Sequence, residues 1–152
     1  MSRWFTLNWN TLLKSAFLLV CPSLFVFFAL PFNRTHFGND PEYAYLLNGI
    51  NVGTLKSVGH TDNPGTTVQI YSAFVLRCSY LAQPDKSEGF EKFIIRNADQ
   101  HIELERKVLI VINGIVILLL GIISFTMLRN IWFSLLLQTM PFTSTNLTEH
   151  IF

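Results

Sequence analysis

Charge is what this sequence has least of. Only 14% of its 152 residues are Asp, Glu, Lys or Arg, against about 25% in ordinary soluble domains. The shortage is local: Ser15–Phe32 and Val108–Leu128 hold no charged side chain. Eleven basic residues against ten acidic leave a net charge of +1, so no basic excess exists to attract nucleic acid. Cysteine is scarce too. Cys21 and Cys78 each lie inside an apolar run, which argues against a disulfide framework or metal site and reports nothing on redox compartment. Walker loops, dinucleotide fingerprints, zinc spacings and nucleophile elbows do not occur. Asn33-Arg34-Thr35 and Asn146-Leu147-Thr148 fit the N-glycosylation pattern but border apolar runs and are set aside. Apolar residues, by contrast, make up half the chain and include fourteen phenylalanines. That content excludes disorder, and its concentration in uncharged runs indicates membrane spans rather than a soluble core.

The expected fold class is all-α: a membrane protein with three to four transmembrane helices, an outward juxtamembrane helix and a cytoplasmic interfacial amphipathic helix, in one module over 1–152. The first span is 15–32, near the lower length limit of about 17 residues. Its Pro22 and Pro31 are tolerable because neighbouring groups can satisfy a freed carbonyl. Arg3 and Lys14 precede it as they would a secretory signal, but Ala29-Leu30-Pro31 is a poor cleavage site, so the span is expected to stay uncleaved. The second span, 66–83, is weaker because it contains Gln69 and Arg77. Arg77 either snorkels to the headgroups or faces an internal cavity. The third, 108–128, has Asn113 as its only strongly polar side chain. The stretch 131–144 is a partial or short span; a crossing that uses part of the tail, a re-entrant half-helix and a truncated span all remain open.

Lysine and arginine placement sets the expected orientation. Arg3 and Lys14 flank the first span, the loop 33–65 has only Arg34 and Lys56, and 84–107 has Lys86, Lys92, Arg96, Arg106 and Lys107. The N-terminus and 84–107 are therefore expected in the cytoplasm of an inner (plasma) membrane protein, and 33–65 outside. Within 84–107, Phe90, Phe93, Ile94, Ala98 and Ile102 recur at helical spacing, predicting an amphipathic helix along the cytoplasmic surface. In the outward loop, Tyr43, Leu46, Leu47 and Ile50 form a helical stripe that predicts a helix over about 41–52. Asp40-Pro41 is its start signal. The following Gly59-His60-Thr61-Asp62-Asn63-Pro64-Gly65-Thr66 is turn-rich.

Asp40, Glu42, His60 and Asp62 thus gather at one membrane face. Carboxylates there are candidates to deprotonate a hydroxyl acceptor or hold a divalent cation. Equally, Asp40 serves as a helix cap and Asp62 as a turn residue. The segments Asp40-Pro41-Glu42-Tyr43-Ala44-Tyr45-Leu46-Leu47-Asn48-Gly49 and Asn63-Pro64-Gly65-Thr66, with Leu135-Leu136-Leu137-Gln138-Thr139-Met140-Pro141-Phe142, resemble the start of the GT-C membrane glycosyltransferases. Within that group they are similar to protein-O-mannosyltransferase-like and aminoarabinose-transferase-like bacterial proteins. The resemblance implies inverting sugar transfer from a polyprenyl-phosphate donor to an acceptor on the outer side. By the same resemblance Asp40 is the catalytic base or metal partner, Glu42 is its neighbour, and His60, Asp62 and Arg77 contact substrate. Asn63 and Thr67 stand where relatives carry histidine and proline, and such enzymes usually have eight or more spans. Two functions therefore compete: an incomplete glycosyltransferase inactive alone, or a non-catalytic membrane subunit that assembles with a partner membrane chain. A transporter fragment is the weaker third, because the spans hold few ionisable groups.

Overall fold

The computed structural model describes residues 13–14, 16–30, 42–59, 66–84 and 86–143, without the side chains of 142 and 143. Among them the fold is all-α. The helices are α1 (Val20–Ala29), α2 (Glu42–Gly53), α3 (Thr66–Ala82), α4 (Phe90–Arg96), α5 (Ala98–Leu128) and α6 (Ile131–Thr143). The chain forms two compact units: a middle unit, Thr35–Leu109, and a terminal unit of Met1–Arg34 with Ile110–Phe152. The first turns of α5 belong to the middle unit and its apolar remainder to the terminal one.

The middle unit is built around Leu46, Ile50, Leu76, Phe90, Ile94 and Ile102, all buried together. Helices α2 and α3 run in the same direction: Gly49 meets Ser72, and one turn on, Gly53 meets Arg77. The approach is close enough that a Cβ on Gly49 would lie 2.0 Å from Ser72 Oγ, so only glycine fits. The start of α5 runs antiparallel to α3, with Ser79 beside His101 and Ser72 beside Glu105. The helix expected over Phe90–Ile102 is broken at Asn97, whose φ of −121° and ψ of 39° lie outside the helical region. Its apolar stripe packs into this core. The expected outward helix and the expected cytoplasmic segment thus share one core. Thr66–Ala82 is a packed helix of this unit with Gln69 and Ser72 buried.

The terminal unit gathers α1, the apolar part of α5, and α6. Phe25, Ala29, Ile110 and Ile117 form its core. A two-residue connection, Arg129-Asn130, joins α5 to α6. Arg129 takes the left-handed conformation (φ 54°) that ends a helix, and its amide closes onto Phe125 O. Asn130 then caps α6, its Oδ1 accepting from the amides of Trp132 and Phe133 at 3.0 and 3.3 Å. The result is an antiparallel hairpin in which Gln138 lies against Ile117 and Gly121.

Beside that apolar core, this unit buries polar side chains and leaves many apolar ones outside. Ser124, Ser134 and Gln138 are buried, whereas Phe27, Phe28, Ile115, Val116, Leu119, Ile123, Trp132 and Leu136 are exposed. Helix α5 is the one helix, among the described residues, long and apolar enough to cross a membrane, and only 28% of its most apolar stretch is buried. The hydroxyls of Ser124, Thr126 and Thr139 donate to carbonyls three or four residues back in their own helices, so they present no unmet donor outward.

Candidate functional site

The polar interior of the terminal unit converges on Gln138, which is fully buried. Its Nε2 donates to the carbonyls of Leu18 and Ile117, both at 3.0 Å. The first of these contacts follows from the sequence of α1. Pro22 has no N–H, so Leu18, four residues earlier, has a carbonyl that the helix itself cannot satisfy. Gln138 supplies the missing donor from another helix. Gly121 makes room for it: a Cβ there would lie 2.2 Å from Nε2. The Oε1 of Gln138 is buried without a partner. This is a structural clasp, and it offers no reactive group.

In the middle unit, Arg106 makes a two-pronged ion pair with Glu42 through Nε and Nη2. Glu42 lies in the first turn of α2, where the helix dipole also favours an acid. Beside it, Glu105 accepts a hydrogen bond from Ser72 Oγ at 2.5 Å, and Tyr71 donates its hydroxyl to the Glu105 carbonyl. Burial raises the Glu105 carboxyl to about 7, the Glu42 charge adds to the rise, and the Ser72 hydrogen bond works against it. Burial and the Glu105 charge push the Tyr71 phenol well above its usual value. Tyr43 donates to Asp99 Oδ1, and that bond raises its own hydroxyl's pKa. The cluster holds one carboxyl that titrates near neutrality, the property of a general acid or base.

An open cleft of about 350 Å³ is lined by Ser79, Phe93, Gln100, His101, Leu104 and Lys107, among others. His101 places Nδ1 2.8 Å from the Asn97 carbonyl and Nε2 3.2 Å from Ser79 Oγ. The carbonyl can only accept, so Nδ1 carries the proton and Ser79 donates to Nε2. That is the hydrogen-bond order of a hydroxyl nucleophile and its base. The oxyanion holder is missing, since Ser79 sits in the last turns of α3 with its own and the next amide tied in the helix ladder. The pair accounts for a buried histidine and goes no further.

Of the five residues expected to form a site, Asp40, His60 and Asp62 lie outside the described residues. Glu42 is held by Arg106. The Nε of Arg77 donates to Gly53 O at 2.8 Å, Nη2 donates to the same oxygen, and its guanidinium lies 4.2 Å from the Phe90 ring centre. It caps the C-terminus of α2. No cluster of histidine, cysteine or acids able to hold a metal occurs among the described residues. Sequence reasoning passed over Glu105, His101 and Gln138. The first two were legible, because His101 and Glu105 continue the Ala98 and Ile102 stripe at helical spacing. Against known families, curated proteins and solved structures, the chain matches none.

Proposed function

We propose that this chain is a small integral membrane protein without catalytic turnover of its own, a membrane-anchored helical module that acts by assembling with other chains. The observation that carries this reading is the polarity pattern of the terminal unit: exposed Phe27, Val116, Leu119 and Leu136 around buried Gln138 and Ser134. In water that arrangement loses free energy twice, by exposing apolar area and burying amides; in hydrocarbon both signs reverse. The run 15–32 and α5 each cross the bilayer, and α6, roughly 20 Å long, returns as a short hairpin helix. Arg129 and Trp132, the latter 78% exposed, anchor the hairpin tip at the headgroups.

With two crossings the middle unit faces one side, and its charges choose which. The segment between the two crossings, 33–107, carries Arg34, Lys56, Arg77, Lys86, Lys92, Arg96, Arg106 and Lys107, against Arg3, Lys14 and Arg129 on the other side. The positive-inside rule then assigns the middle unit to the cytoplasm. Asp40 lies on that side as well, away from the outer face where polyprenyl-phosphate sugar transfer was expected. With Glu42 and Arg77 already engaged, nothing described favours the glycosyltransferase reading.

The native Cys78 is free and exposed and tests the assignment directly in a Cys21→Ser background. It should resist an impermeant maleimide in intact cells and react once the cells are opened, with the chain staying in the pellet after an alkaline carbonate wash. Labelling in intact cells would refute the orientation; release by carbonate would refute the anchor.

A further inference from the structure

We propose that the chain pairs with a second copy of itself along one face of α5, Asn113 of each copy hydrogen-bonding to the same residue of the other. The inference rests on the membrane reading above and adds a partner to it. Asn113 is partly exposed and, among the described residues, takes part in no hydrogen bond, ion pair or ring contact. It lies five residues inside the uncharged run that begins at Val108, roughly 8 Å along the helix. A two-carbon side chain does not span that depth to reach the headgroups. Left alone, its amide would sit unmet in hydrocarbon.

The neighbouring positions show what covers it. From Asn113, the residues at alternating steps of three and four are Val116, Leu120, Ile123 and Met127. All four are exposed, at 55%, 37%, 55% and 77%. Those steps place Asn113, Leu120 and Met127 at one core position of a heptad, and Val116 and Ile123 at the other. The chain's own helices do not use this seam: Ile110, Ile117 and Ser124 are the buried residues of α5, roughly a quarter-turn away. Lipid would cover the apolar side chains equally well, but it cannot satisfy the amide. A second copy can, because an amide carries both donor and acceptor and a two-fold axis sets each against the other. Copies inserted in the same orientation bring their α5 helices together in parallel, the arrangement in which a single core asparagine fixes register.

The test uses the full chain in membranes, with Cys21→Ser and Cys78→Ser and one new thiol at Val116→Cys, Leu120→Cys or Ile122→Cys. After an alkaline carbonate wash, oxidation should link Val116→Cys and Leu120→Cys into dimers several-fold more than Ile122→Cys, which lies on another face. Energy transfer between labelled copies in micelles should show dimerisation weakened roughly tenfold by Asn113→Val and partly retained by Asn113→Gln. Release by carbonate would overturn the membrane reading and this inference with it. Retention with equal cross-linking at all three sites, or indifference to Asn113→Val, would overturn the dimer alone.

Discussion

Two buried polar residues, Gln138 and Glu105, give the sharpest tests at the residue scale. Gln138 answers a carbonyl that Pro22 sets free, so the two substitutions must be coupled. Gln138→Leu should lower stability by about 1–3 kcal/mol, the usual cost of leaving a buried polar group unmet. In a Pro22→Ala background, where Leu18 O regains its helical donor, that cost should shrink by about 1 kcal/mol; a double-mutant cycle of unfolding in detergent measures the difference. Additive effects would mean that the clasp is incidental. Glu105 sets the pH response. Its carboxyl is raised to about 7 from 4.5, so the folded state binds the extra proton between those values. The contribution of Glu105 to stability is therefore greatest below pH 4.5, falls as pH rises toward 7 and is level above it. The full difference is about 3 kcal/mol at most. Glu105→Gln should be the more stable protein at pH 8 and indistinguishable at acid pH, as read by hydrogen exchange of α3 amides at the two pH values.

At the scale of elements, the connections are where substitutions report most clearly. Arg129 and Leu55 hold positive φ without being glycine, and Leu55 is 97% exposed. Leu55→Gly should stabilise the end of α2 by about 0.5–1 kcal/mol, since nothing is lost but a strained Cβ. Asn130→Ala should cost about 1 kcal/mol by removing the α6 cap. Thermal unfolding compares both with the parent. The helices themselves were largely legible: the stripe of Tyr43, Leu46, Leu47 and Ile50 foretold α2, and the uncharged run foretold the apolar part of α5. Hydropathy did not say that α3 would bury Gln69 and Ser72 against other helices, because an average over a window has no sense of faces. Nor did it register Asn97, whose break lets Phe90 and Ile102 serve one core. The Leu18–Pro22–Gln138 relation was readable only in part. Proline names the orphaned carbonyl four residues back, but a contact across 120 residues is set by tertiary packing.

The molecule as a whole divides by solvent preference. Its middle unit has an apolar core beneath salt bridges such as Lys56–Glu91 and Arg96–Glu88; its terminal unit buries Ser124, Ser134 and Gln138 beside its apolar core and exposes many apolar side chains. Composition foretold the all-helical class and one helix, α5, long and apolar enough to cross a membrane. The side on which 33–65 and 84–107 meet water depends on how many crossings separate them, because a count of basic residues compares only the two flanks of each span. Asp40, His60 and Asp62 lie outside the described residues, and the other two members of the expected site, Glu42 and Arg77, have structural partners. The central claim is that the exposed apolar surface of the terminal unit faces lipid, and the reactivity of a thiol placed on it tests this most directly. Leu119 is 49% exposed. In membranes opened to reagent on both sides, a Leu119→Cys thiol should stay inert to a water-soluble maleimide while native Cys78 reacts, and should react only after detergent is added. Labelling at the Cys78 rate before detergent would show that this surface meets water and would contradict the account.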